Sequence, residues 1–129
     1  MEPRDEGVST SGPLLTIVPG LHGPCAILRL AGAVTSSTAL LLHEHLTQAL
    51  AWVRPPLLVV ELARVTALDG HGLALLSAAD RQAVNDHGRM IVAEVPDAVS
   101  REFRASAHEF GCAPSTAEAI AALTSGGLA

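Results

Sequence analysis

The 129-residue sequence has no lysine, no tyrosine, two cysteines and three large aromatic residues, Trp52, Phe103 and Phe110. Each scarcity excludes something. With arginine as the sole firm cation and 13 acidic against eight basic residues, there is no basic stripe to displace counterions from a nucleic acid. So few aromatics also remove the usual platform for stacking bases. Cys25 and Cys112, far apart in sequence, do not make a disulfide framework and read as ordinary thiols in a reducing compartment. His43 and His45, the one close histidine pair, are two apart on an expected helix and point to different faces, so no metal site is expected. No uninterrupted apolar run approaches the length that crosses a bilayer. The opening "MEPRDEGVSTSG" has no apolar centre and is not a signal peptide. The expectation is a cytoplasmic protein without membrane or nucleic-acid partners.

What is present is aliphatic. Nearly half of the residues are apolar, enough for one domain with a core of Leu, Val, Ile and Ala. Residues 1–13 read as a flexible leader, 14–124 as the domain and 125–129 as a tail. "LLTIV" (Leu14 to Val18), ended by Pro19-Gly20, and "CAILRLAG" (Cys25 to Gly32) predict two strands of a hairpin, with Ala26, Leu28 and Leu30 on one face. Thr35, Ser36, Ser37 and Thr38 offer N-cap hydroxyls to a helix whose stripe is Leu42, Leu46, Ala49, Leu50 and Val53, stopped by Pro55-Pro56.

"LLVVEL" (Leu57 to Leu62) suits a central parallel strand. "LALLSAADRQAV" is the next helix, with Gly88 as a left-handed C-cap. "RMIVAEV" (Arg89 to Val95) is another strand. A helix capped by Asp97 then carries Val99, Phe103 and Phe110 on one face and closes at Gly111. "STAEAIAAL" opens on a capping box, Ser115 with Glu118. The order β-β-α-β-α-β-α-α predicts an α/β fold with a mostly parallel sheet.

Between the third strand and its helix lies "ALDGHGLALL". Asp69 reads as the N-cap, Gly70 as the residue that lets the chain turn sharply, and Gly72 as the one that allows close packing. His71 then projects into solvent. The loop lacks the Gly-Lys-Ser/Thr ending of a phosphate-binding loop and the third glycine of a dinucleotide fingerprint, and no nucleophile elbow occurs anywhere. Asp69 and His71 have no partner nucleophile in a recognisable setting, so no enzymatic activity and no cofactor are expected. The first turn of a helix does favour an anion, and a phosphate on an exposed residue there would change a partner-binding surface by nearly two charges.

The stretch from "LLVVELARVTALDGHGLALL" to "VPDAVSREFRASAHEFG" resembles the second half of a STAS domain, the family of bacterial anti-sigma factor antagonists. In that family a buried strand runs into Asp-Ser-Ser-Gly-Leu, and Asp69, Gly72 and Leu73 match it, as do Gly88 and Pro96-Asp97-Ala98-Val99. "LRLAGAVTSSTALLLHEHLTQAL" resembles the family's first-half strand, turn and helix, with Gly32 as its glycine. The resemblance implies a mixed, mainly parallel sheet of four to five strands packed by helices over about residues 14–124. It also implies partner switching. Such antagonists bind a serine-kinase anti-sigma factor and so free a sigma factor. The kinase phosphorylates the second serine of Asp-Ser-Ser-Gly, which abolishes binding, and a phosphatase restores it.

Here the first serine is Gly70, the phosphoacceptor position is His71, and the family's turn aspartate falls at Thr35. The implied contact surface is Asp69, Gly70, His71, Gly72 and Leu73 with Thr35, Ser36 and Ser37. Three readings follow. The first is an antagonist-like binding protein without the usual serine switch. The second is a non-switching scaffold or sensor subunit of a larger assembly. The third is a phosphoryl-accepting or hydrolytic protein that uses His71. A homodimer through an exposed aliphatic helix face is left open.

Overall fold

The computed structural model describes residues 15–125, so the expected leader and the last four residues of the expected tail lie outside the described residues. The elements are β1 (Leu15–His22), β2 (Cys25–Val34), α1 (Ala39–Trp52), β3 (Leu57–Leu68), α2 (Gly70–Asn85), β4 (Arg89–Ala93), α3 (Asp97–Ala105), β5 (Gly111–Ala113) and α4 (Thr116–Ser125). They build one sheet in the order β1-β2-β3-β4-β5. β1 and β2 form the expected antiparallel hairpin, and every other neighbouring pair is parallel.

A sheet whose parallel strands follow one another in sequence order, joined by crossovers of one hand, places all the connecting helices on one face. That is the arrangement here. Leu42, Leu46 and Leu50 of α1, Leu76, Ala79 and Ala83 of α2 and Val99 of α3 share one core with Leu28, Leu58, Val60, Met90 and Val92 of the sheet. The alternate strand residues Cys25, Ile27, Val59, Ile91 and Ala93 point the other way, onto Ala119 and Leu123 of α4. The period of two read from "CAILRL" thus separates two real layers.

Several expectations need correction. β1 does not end at Pro19-Gly20 but runs to His22, pairing Pro19 with Leu28 and Gly20 with Ile27. As an edge strand it tolerates a proline with no N–H to give. The last residues of β3 lie beyond the apolar run: buried Leu62, Val65 and Leu68 recur three apart, separated by exposed Ala63, Arg64, Thr66 and Ala67, where the pairing with β2 shifts register. α3 stops at Ala105, six residues short of Gly111, and its N-cap is Pro96, with Asp97 in the first turn. Phe110 nevertheless packs edge-on against Phe103, ring centroids 5.0 Å apart, from the segment leading into β5. β5, three residues long, gives no periodic signal in "GCA".

The left-handed residue after α2 is His87 (φ 67°), not Gly88. Gly88 is required for another reason: a Cβ there would overlap the carbonyl of Pro56, the same carbonyl that accepts from Arg89 N at 2.9 Å. Cys25 is buried and Cys112 exposed, both as free thiols. They sit on β2 and β5, three strand spacings apart at about 4.8 Å each, well beyond disulfide reach. Burial pushes the Cys25 thiol above its ordinary value.

Candidate functional site

β2 and β3 run parallel side by side, and their last residues, Val34 and Leu68, are register partners. Both strands therefore deliver their following loops to the same edge of the sheet. The Thr35–Thr38 turn lies beside Asp69, as expected if the sheet is parallel there. Asp69 N donates to Val34 O at 3.1 Å, which locks the two strand ends together.

Asp69 occupies the N-cap of α2 in extended backbone conformation. Its Oδ1 accepts from Gly72 N at 3.0 Å, as an N-cap carboxylate should. Its Oδ2 is turned toward the neighbouring loop and accepts from Ser36 N at 3.1 Å. One carboxylate thus closes a helix and fastens a second loop to it. The bond from Gly72 N first, then that from Ser36 N and the nearby His71, hold the Asp69 carboxyl below its ordinary value, outweighing the desolvation that would raise it. Charge-assisted bonds of this kind stabilise the ionised form.

Gly72 is buried because the chain comes too close for a side chain. A Cβ there would lie 2.6 Å from Val34 Cγ1, 2.8 Å from Leu68 Cδ1 and 2.8 Å from Val34 O. Gly70 has no such need. Nothing lies within 4 Å of a Cβ built there, and its backbone is not left-handed. The sharp-turn role expected of Gly70 is thus not required by the backbone. His71 does project outward, with 72% of its side chain exposed and Nδ1 3.8 Å from Asp69 Oδ2. Leu73 is half-buried and packs on the core, so the loop has an apolar foot and an exposed polar crest.

The hydroxyl cluster behaves differently from the capping role expected of it. Thr38 stands at the N-cap of α1, yet its side chain makes no capping bond. Its buried Oγ1 accepts from Thr35 N at 3.0 Å and donates to Ala33 O at 2.9 Å, tying the turn to the end of β2. Thr35 Oγ1 and Ser37 Oγ are 3.0 Å apart. Ser36 and Ser37 are exposed.

Two nearby features escaped the sequence. Leu40, in the first turn of α1, is 71% exposed beside this edge. In a run of three leucines only Leu42 belongs fully to the buried stripe, so the run itself was the available signal. His108 Nε2 meets Asp80 Oδ2 at 2.7 Å. The pair fastens the segment after α3 to α2, and its 28-residue separation left no local pattern to read.

Ser77, the nearest hydroxyl on α2, is buried and donates to Leu73 O at 2.9 Å. Among the described residues no group of three or more His, Cys, Asp or Glu is placed to hold a metal ion. His43 is exposed, while His45 Nδ1 lies 3.0 Å from Leu41 O. No helix among the described residues is long and apolar enough to cross a membrane.

The same fold occurs in solved proteins. An anti-sigma factor antagonist from Mycobacterium paratuberculosis superposes with a TM-score of 0.77 at 23% identity, over 88% of this chain and 98% of that one. The anti-sigma factor antagonist SpoIIAA in its unphosphorylated form gives 0.65 at 15% identity, over 86% and 99%. The phosphorylated form of SpoIIAA, a Bacillus cell fate determinant, gives 0.63 at 16%, over 82% and 97%. Among curated protein sequences, none matches this chain. The family model described as "Mlab, STAS domain" matches residues 18–109, most of the chain. With its five-stranded mixed sheet and four helices, the chain belongs to the STAS domain family.

Proposed function

We propose that this protein acts by protein–protein contact as an anti-sigma factor antagonist, engaging a serine-kinase anti-sigma factor and so freeing a sigma factor. The observation that carries this reading is the Asp69 carboxylate, bonded at once to Gly72 N and Ser36 N. It turns two loops into one preorganised surface, on which Gly70 and His71 are exposed next to Asp69. Preorganisation lowers the ordering cost of binding. Full-length similarity to antagonists supports the class of partner. In this reading His71 stands where the family's antagonists carry the phosphorylated serine, so a serine kinase has no hydroxyl to modify within the 69–73 loop.

The matching family model carries a description that names no sigma factor. This favours a second reading, a non-switching STAS subunit of a larger assembly. Affinity enrichment from the native cell, followed by purified reconstitution, separates the two. Recovery of a kinase-type anti-sigma factor that binds the purified chain directly supports the first. A stable complex that lacks any such kinase supports the second.

A further inference from the structure

We propose that a cleft beside α2 is a second docking surface, and that it takes an acidic segment of the kinase-type partner, recognised by Arg81. The inference rests on the reading above, that such a partner covers the Asp69 edge. Gly70, Leu73, Ala74, Ser77 and Arg81 recur every three or four residues and so form one stripe of α2. They make one wall of an open cleft of about 470 Å³, and residues 106–108, which follow α3, make the other. The stripe starts at the exposed loop and runs three turns down the helix, about 16 Å. A partner that covers Gly70 and His71 therefore meets the mouth of this cleft.

The cleft is held in shape through Asp80. That residue is buried, and its Oδ2 lies 2.7 Å from His108 Nε2, so the second wall is fastened to the first. His108 in turn meets Phe110 edge-on, ring centroids 4.6 Å apart, and Phe110 meets Phe103 of α3 at 5.0 Å. The second wall is thus tied to both helices, and a wall already ordered lowers the cost of binding.

The same bond decides the charge of the cleft. Successive residues of a helix point about 100° apart, so Asp80 turns inward while Arg81 stays exposed. With Asp80 committed to His108, the Arg81 guanidinium makes no ion pair and no hydrogen bond among the described residues. Ser77 has given its proton to Leu73 O. The cleft therefore offers apolar surface at Leu73, Ala74 and Ala107 and, farther from the loop, a free guanidinium. That combination fits a segment with a small apolar face and a carboxylate, which an arginine can hold through two parallel bonds. A net charge of −5 gives the chain no general attraction for an acidic segment, so its recognition falls to this arginine.

The experiment has two arms, both with the full chain and the purified kinase-type anti-sigma factor. In the first, affinity is measured for wild type, Arg81→Gln, Arg81→Glu and, as control, Arg101→Glu on the exposed side of α3, at about 50 and 300 mM salt. Binding about fivefold weaker for Arg81→Gln, weaker again for Arg81→Glu, and less salt-dependent for Arg81→Gln than for wild type supports the inference. Arg101→Glu should bind like wild type. Equal affinity for wild type and Arg81→Gln, or an equal loss in Arg101→Glu, overturns the inference and leaves the partner reading standing. In the second arm a photoreactive residue is encoded at the exposed Ala74 and the crosslinked partner peptide is sequenced. A peptide carrying Asp or Glu supports the inference. A peptide without either, or binding with no crosslink, overturns it. Absence of any binding by wild type overturns the partner reading and this inference with it.

Discussion

Asp69 and Ser36 are 33 residues apart in sequence and joined by a 3.1 Å hydrogen bond from the Ser36 amide to the Asp69 carboxylate. The bond exists because β2 and β3 end in register at Val34 and Leu68, so a helix cap on one strand reaches the loop of the next. Its consequences can be measured.

Asp69→Ala removes both the cap and the tie. A lost N-cap costs about 1 kcal/mol, and urea denaturation should show at least that. Asp69→Asn can still accept from Gly72 but does not keep a carboxylate for Ser36, so its loss should be smaller. Equal stability of all three proteins would show that the two bonds are not formed in solution.

Acid should erase the same contribution. The Gly72 amide, followed by that of Ser36 and the nearby His71, holds the Asp69 carboxyl below its ordinary value. A carboxyl depressed on folding contributes its stability fully above the unfolded value, about 3.9, and loses it as pH falls through the folded value. The stability gap between wild type and Asp69→Asn should therefore be constant above about pH 5 and close on further acidification. A gap that widens toward acid would contradict this assignment.

The two loop glycines should respond oppositely. Gly72→Ala drives a methyl into Val34 and Leu68 and should cost about 1–3 kcal/mol, the usual range for overpacking. Gly70→Ala meets nothing and should fall within about 0.5 kcal/mol of wild type. Thermal or urea unfolding of the pair is a direct comparison, and a destabilised Gly70→Ala would point to a backbone constraint not visible at that residue.

The C-terminus of α2 offers a matched test. Gly88→Ala collides with Pro56 and should lower stability severely, whereas His87→Gly relieves a left-handed residue worth about 1 kcal/mol of strain. Stability of His87→Gly at or above wild type, measured by urea denaturation, is the expected result.

Much of this was legible in the residues. The strand cores, the four helices apart from the end of α3, the Asp69 cap and the close approach at Gly72 each follow from a local pattern, and so did the α/β class. What escaped was set by tertiary context. β1 continues through Pro19-Gly20 because an edge strand excuses a proline, which depends on strand order. α3 ends early and β5 forms where "GCA" finds an open edge on β4. Asp80 with His108, and Asp69 with Ser36, are contacts between distant segments that have no spacing to betray them. At the candidate site the cap was readable, whereas the second bond of the same carboxylate required the sheet.

The account's central claim is that the edge built around Asp69 is a docking surface for an anti-sigma factor. The most direct measurement is the affinity of the purified kinase-type anti-sigma factor for wild type, His71→Ala and Asp69→Asn. His22→Ala, at the opposite pole of the sheet where β1 meets the start of β2, is the control. At least tenfold weaker binding by both site variants, with His22→Ala unchanged, is the predicted result. Equal affinity for all four proteins would contradict the account.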